Sequence, residues 1–252
     1  MKMKEKYFTF DKLNEYDEII HLSTKKVMNF ATPIVGVDGI KEGFKEIEND
    51  ICHKFRMIKT PCQTHSSNVR VLTEDNLDDE FSDTDGIITN LKNIALGIRT
   101  ADCQSILLYD SKRKVIGNIH SGWKGTLNKI VVNAINLMMS EYGCEAKDIL
   151  AFICPSIMKC CFEVDKDVVD SFVEQFGNID EFITLGEVKA GKQKYFIDTV
   201  ELNKKVMTEL GLEKDNIISS DICTKCHSDI YHSYRAYGKL SGRNLSLICI
   251  KK

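Results

Sequence analysis

His65, Cys103 and His120 stand in three separate stretches, each dense in polar, small or glycine residues: Gln63-Thr64-His65, Thr100-Ala101-Asp102-Cys103 and His120-Ser121-Gly122-Trp123-Lys124-Gly125. Two imidazoles and one thiolate suit a divalent zinc ion, and three protein ligands leave a coordination position free for water or substrate. A closed four-ligand set staples a fold, whereas an open set does chemistry. The pattern points to an enzyme with His65, Cys103 and His120 as metal ligands at its catalytic centre. Asp102 cannot easily share the ion from a position adjacent to Cys103. It is expected instead to hold the second ring nitrogen of one histidine, and it is the candidate for moving a proton.

These residues need elements that deliver them to one point. Short β-branched or aromatic runs predict strands at Tyr7–Phe10, Val69–Leu72, Gly86–Thr89, Ile94–Arg99, Ser105–Tyr109 and Val115–His120. The polar turn Ser111-Lys112-Arg113-Lys114 predicts a hairpin between the last two. Spacing of three and four predicts helices over Gly125–Tyr142, Asp165–Phe176 and Asp198–Leu210, with Gly177 and Gly211 placed as C-terminal caps. Cys103 then falls at a bend between strands, His65 just before the turn Ser66-Ser67-Asn68, and His120 at a strand end. The strand–glycine-turn–helix junction after His120 predicts an anion cradle, with Lys124 adding charge. Strands cluster centrally without a steady βαβα alternation. That favours an α+β fold with mixed sheets packed between helices, in one domain over residues 1–252.

Composition narrows the function classes. The chain has 252 residues, 43% hydrophobic and 28% charged, with three prolines and no linker-like segment. A net charge of −3 gives no basic footprint for a nucleic-acid partner. The charged opening Met1-Lys2-Met3-Lys4-Glu5-Lys6 leads into no signal-peptide core, and no run reaches the roughly 20 apolar residues of a membrane span. A cytoplasmic location is expected, with no membrane partner.

Ten cysteines in a long chain with irregular spacing read as free thiols rather than a disulfide framework. Cys154 and Cys249 lie in apolar runs and should pack as small hydrophobes. Cys223-Thr224-Lys225-Cys226-His227 is a ligand pattern that needs further donors. Cys160-Cys161 or His232 could complete a zinc knot only if the fold brings them near, and a polar turn before a strand at Ile230–Tyr234 is the simpler expectation.

Five motifs carry a family resemblance: Gln63–Val69 (QTHSSNV), Thr84–Thr89 (TDGIIT), Arg99–Tyr109 (RTADCQSILLY), Ile119–Thr126 (IHSGWKGT), and Ser233-Tyr234-Arg235 with Gly238 and Ser241-Gly242-Arg243. In order and spacing the chain resembles the YfiH/YlmD family, once called multicopper polyphenol oxidases or laccase-domain proteins and now associated with purine nucleoside phosphorylase activity. The resemblance implies a zinc site at His65, Cys103 and His120, with copper as a possible substitute in vitro, and a single domain in αββα layers. It also implies phosphorolysis of adenosine, inosine and related nucleosides such as methylthioadenosine, with adenosine deamination as a side activity. The partners it implies are a small nucleoside and phosphate; the oligomeric state is left open. Two departures stand out. Lys124 replaces the family's usual Arg, keeping the charge but losing the planar fork, and Ser23–Asn29 (STKKVMN) stands where a glycine-rich segment is often seen.

Lys124, Arg235 and Arg243 are the candidate phosphate contacts, with Arg56 a weaker one. Two rivals follow from the same residues. One is a metal-free cysteine hydrolase, with Cys103 as nucleophile and His120 or His65 as base; the resemblance, one branch of which is linked to peptidoglycan precursor editing, implies an amide bond of such a precursor as its substrate. The other is non-enzymatic, the zinc knot around Cys223, Cys226 and His227.

Overall fold

A computed structural model describes residues 5–251, so Met1–Lys4 of the charged opening lie outside the described residues. Four strands are buried on nearly every position: β6 (Ile94–Thr100), β7 (Gln104–Asp110), β8 (Val115–Ser121) and β14 (Asn244–Ile250). Strands covered on both faces read as continuous apolar runs rather than alternations. Their neighbours complete two mixed sheets. A five-stranded sheet runs in the order β1 (Tyr7–Phe8), β2 (Ile19–Thr24), β14, β6, β3 (Met57–Lys59). A six-stranded sheet runs in the order β13 (Ile217–Ser219), β9 (Ile149–Ile153), β7, β8, β5 (Gly86–Thr89), β4 (Val69–Val71). The expected hairpin is present, with β7 and β8 antiparallel in the register Ile106↔Ile119.

The two sheets pack face to face. Ile94, Leu96 and Ile248 of one meet Ile87, Leu107, Tyr109, Ile116 and Phe152 of the other. One polar tie crosses this layer: Asn118 Nδ2 donates to Leu96 O and Ser246 O, both at 2.9 Å, so no amide hydrogen is stranded there. On its outer face the six-stranded sheet packs Ile106, Leu108 and Ile119 against Ile130, Ile135 and Met138 of a helix over Ile130–Tyr142. The outer face of the five-stranded sheet is covered by Ile47, Phe44 and Ile40 of a helix over Thr32–Asp50. The result is the αββα layering that the resemblance implied, in a mixed α+β fold.

A three-stranded sheet, β10 (Glu163–Val164), β12 (Lys192–Ile197) and β11 (Ile183–Lys189), sits beside these layers. It packs with the Lys166–Phe176 helix through Val169, Phe172 and Ile197. Gly177 and Gly211 follow the Lys166–Phe176 and Thr199–Glu209 helices with φ of 74° and 106°, positive values that glycine takes without a Cβ clash.

Numbered along the chain, the helices used below are α1 (Asp11–Asn14), α2 (Thr32–Asp50), α3 (Trp123–Leu127), α4 (Ile130–Tyr142), α5 (Lys166–Phe176), α6 (Thr199–Glu209) and α7 (Tyr234–Tyr237). Three readings are corrected. The helix expected over Gly125–Tyr142 is two, α3 and α4, broken where Lys129 takes φ 53°. The apolar period continues across the break, so periodicity cannot see it. Ile230–Tyr234 forms no strand. The Asn244 side chain replaces a strand partner there, accepting from His232 N and donating to His232 O, each at 3.0 Å. Helix α2 is absent from the expected elements because most of its surface is exposed, leaving a weak apolar stripe, and Gly36 bends it with φ 69° and ψ 177°.

Candidate active site

Three junctions converge, at the N-terminal end of β4 and the C-terminal ends of β6 and β8. His65 precedes β4 in a left-handed conformation, φ 64°. Its loop is held by Gln63, whose side chain imitates a strand partner: Arg99 N donates to Gln63 Oε1 and Gln63 Nε2 donates to Arg99 O, both at 2.9 Å. Cys103 lies in the tight bend from β6 to β7. His120 is the penultimate residue of β8 and is 3% exposed.

The geometry brings the three donors together. The ligating atoms of His65, Cys103 and His120 all lie within 4.8 Å of one another, with Cys103 Sγ 3.7 Å from His65 Nε2. The imidazoles meet edge to face, centroids 4.7 Å apart. Gly122 closes the space. A Cβ there would stand 2.7 Å from His65 Cδ2 and 3.2 Å from Cys103 Sγ, so a larger residue would intrude into the donor cluster.

The residue that orients the centre is Asp85, which no sequence argument singled out although it lies inside Thr84–Thr89. It is fully buried and accepts from His120 Nδ1 at 2.6 Å. It also accepts from the backbone N–H groups of Thr64, His65 and Ser66 at 3.1, 3.0 and 2.8 Å, and from Ser66 Oγ at 2.8 Å. Burial works against its ionisation, but His120, Ser66 and the backbone donors outweigh it and hold the carboxyl well below the usual range. A carboxylate can only accept, so His120 Nδ1 carries a hydrogen toward Asp85 and the ring turns its other nitrogen to Cys103. That is the outer-shell arrangement metal-ligating histidines use.

Burial likewise pushes the Cys103 thiol up, yet the His120 and His65 imidazoles bring it down to about 6. His120 is raised by Cys103 and Asp85 against the opposing effect of burial. The pair is predisposed to thiolate chemistry or to a cation. Donor type, the fixed tautomer and the space guarded by Gly122 all fit a divalent ion.

Asp102 does not hold a histidine. With φ 86° its side chain diverges from that of Cys103, accepting instead from Thr224 Oγ1 at 2.7 Å and Arg235 N at 2.6 Å. It clasps the loop that carries Arg235 to the edge of the site.

The three donors open into a cavity of about 580 Å³ lined also by Trp123, Phe162, Arg99, Arg235, Lys239 and Arg243. That volume lies in the range of small-molecule sites. Arg235 Nη1 donates to Cys161 O and Glu163 O, both at 3.0 Å, and its guanidinium lies over the Phe162 ring. Arg243 Nη1 donates to Ser241 O and Gly242 O. Burial, with Arg243 nearby, lowers the Arg99 pKa. Arg99 sits within the quoted Arg99–Tyr109 motif but was assigned no role from sequence.

Two expected phosphate contacts lie elsewhere. Lys124 is exposed on α3, with Nζ 5.6 Å from the Trp123 ring centroid, and does not line the cavity. Arg56 pairs with Glu74 at 2.7 Å through both terminal nitrogens and is also outside it. The expected anion cradle is reduced accordingly, since α3 has only five residues. The cavity wall also includes Phe30–Ile34, just after Ser23–Asn29.

The fold and site define a layered α+β protein with an open His–Cys–His centre beneath a cationic cavity. The chain belongs to the family described as multi-copper polyphenol oxidoreductase laccase, whose profile matches residues 38–251. It is 30% identical to a purine nucleoside phosphorylase of Bacteroides thetaiotaomicron, covering 96% of both chains. It is 36% identical to a purine nucleoside phosphorylase of Clostridium acetobutylicum over 75% of each. A protein named adenosine deaminase RL5, from an unknown prokaryotic organism, is 32% identical over 74% of this chain and 72% of its own. The YfiH structure from Bacillus licheniformis superposes with a TM-score of 0.86 at 23% identity, covering 98% of this chain and 97% of that one. Among the described residues no helix is long and apolar enough to cross a membrane.

Proposed function

We propose that this chain is a nucleoside-processing enzyme, a purine nucleoside phosphorylase with adenosine deamination as a side activity, and that zinc occupies His65, Cys103 and His120. One observation carries the reading: a three-donor metal corner and a cluster of cationic side chains share a single cavity. The names of the relatives support the substrate class.

In phosphorolysis a phosphate oxygen forms a bond to the ribose C1′ as the C1′–N9 bond breaks. The bonding pair leaves with the purine, which takes up a proton. Arg99, Arg235 and Arg243 hold phosphate and balance its charge beside a cation-like C1′. Trp123 and Phe162 provide apolar walls for the base. His65, Cys103 and His120 would hold a divalent ion, which would supply Lewis acidity beside the phosphate-binding arginines. Asp85 keeps His120 in the required tautomer, and Asp102 keeps Arg235 at the cavity rim.

The deciding experiment supplies inosine and phosphate to protein purified without added metal, with metal analysis in parallel. Ribose 1-phosphate and hypoxanthine support phosphorolysis; free ribose, or no product with metal bound, removes it.

A second reading is favoured by Cys103 Sγ standing 3.7 Å from His65 Nε2, with the imidazoles lowering its pKa: a cysteine hydrolase with His65 or His120 as base, acting on the amide of a peptidoglycan precursor that the family resemblance implies. Full activity after stringent chelation, together with covalent trapping of Cys103, selects that reading over the first.

A further inference from the structure

Cys160, Cys161, Cys223 and Cys226 come from two loops more than sixty residues apart, yet their four sulfurs all lie within 4.8 Å of one another. Cys226 Sγ is 3.7 Å from Cys160 Sγ and 3.4 Å from Cys161 Sγ. Four sulfurs placed tetrahedrally at the usual zinc–thiolate bond length of about 2.3 Å stand about 3.8 Å apart. The observed separations are those of ligands around a common ion, well beyond the roughly 2.05 Å of a disulfide bond. All four cysteines are free.

We propose that these four cysteines form a second metal site, a closed tetrathiolate centre for zinc. It is separate from His65–Cys103–His120 and serves to fix one wall of the cavity. Cys223-Thr224-Lys225-Cys226 has the C-x2-C spacing of half a structural zinc site; Cys160 and Cys161, although adjacent, both turn their sulfurs toward Cys226 Sγ and so supply the other half. Backbone hydrogen bonds from Met158, Lys225 and Cys226 converge on Cys223, the kind of support that thiolate ligands receive from their surroundings. His227, the sequence candidate for a ligand, is not part of the set, and His232 donates its ring hydrogen to Met28 O instead. On binding, each thiol gives its proton to solvent and each sulfur donates a pair to the ion; nothing is oxidised or reduced.

Four protein ligands leave no open position, so the role is structural rather than catalytic. What the centre would hold is visible around it. Thr224 N donates to Ser156 O at 3.0 Å and Ser156 N to Ile222 O at 3.2 Å, a bridge that joins the two loops beside the sulfurs. Thr224 Oγ1 then reaches Asp102, next to Cys103, and Arg235 reaches Cys161 O. The same loop places Phe162 on the cavity wall. A loss of the ion frees both loops and loosens Arg235 and Phe162 together.

The proposal does not rest on the phosphorolysis reading, and metal stoichiometry tests it directly. The full chain is purified under reducing conditions without chelator. Metal per chain is measured for wild type, for His65→Ala/His120→Ala, and for Cys160→Ser/Cys226→Ser. The histidine variant is expected to keep one zinc resistant to mild chelation. Loaded with cobalt, it should show the intense thiolate charge-transfer absorption of a four-sulfur site, a readout that stands even if the cysteine variant fails to fold. Loss of all metal from the histidine variant, or a mapped disulfide among the four cysteines in freshly reduced protein, overturns the proposal. Wild type with one zinc that survives in the histidine variant supports this site while removing zinc from the His65–Cys103–His120 centre.

Discussion

Asp85 Oδ1 lies 2.6 Å from His120 Nδ1, and the same carboxylate collects the backbone N–H groups of Thr64, His65 and Ser66. One buried acid thereby fixes the ring of one proposed ligand and the main chain of another. Its position couples the geometry of two of the three donors, so its loss should be felt at both.

Asp85→Asn is expected to weaken metal binding about 10- to 100-fold, the usual cost of disturbing a ligand's outer partner. Competition with a chromophoric chelator measures it. Unchanged affinity would show that the carboxylate organises the loop without acting on the centre.

Gly122→Ala should fold but lose metal and activity, because the new methyl meets His65 Cδ2 and Cys103 Sγ. The strain amounts to roughly 1–3 kcal/mol if the donors do not move. A variant that keeps wild-type metal content and rate would show that the cluster has slack there.

Arg99→Ala and Arg243→Ala should each raise the KM for phosphate, roughly 10- to 100-fold for loss of one charged hydrogen-bond donor. Lys124→Ala and Arg56→Ala should leave it near wild type, since neither lines the cavity. Steady-state kinetics with varied phosphate separates the two groups. The reverse ranking would relocate the anion site to the turn after His120.

His21 is buried with its Nε2 accepting from Phe10 N at 2.8 Å, and burial brings its pKa down to about 4 from an ordinary 6.5. The folded state resists protonation that the unfolded chain accepts. The stability contributed by neutral His21 is therefore complete above pH 6.5 and lost as pH falls toward 4, on the order of 3 kcal/mol over that span. Denaturant unfolding at a series of pH values should give His21→Gln a shallower slope than wild type in that window. Parallel slopes would mean that His21 charges freely in the fold.

The motif stretches were legible because their chemistry is local. His65, Cys103 and His120 each sit in a turn-forming context next to a run that reads as a strand, and the β7–β8 hairpin follows from four polar residues between two apolar runs. What linear order does not carry is direction. Asp102 is adjacent to Cys103, yet a positive φ turns its carboxylate to Thr224 and Arg235, while Asp85, seventeen residues before Asp102, reaches His120 because β5 pairs with β8 in the register Gly86↔Ile119. Lys124 and Arg56 had the right charge and the wrong exposure. Arg99 faces the cavity as the one incompletely buried residue of its strand.

The sequence alone determined which donors exist, what chemistry two imidazoles and a thiol can do, and which segments pair as strands, because composition and periodicity act over a few residues. Only the tertiary structure decided which acid meets which histidine, which arginines share the cavity, and that Cys160 and Cys161 meet Cys223 and Cys226. Those contacts depend on strand register and on loop closure over tens of residues, and burial of the sheets, rather than any local preference, sets both.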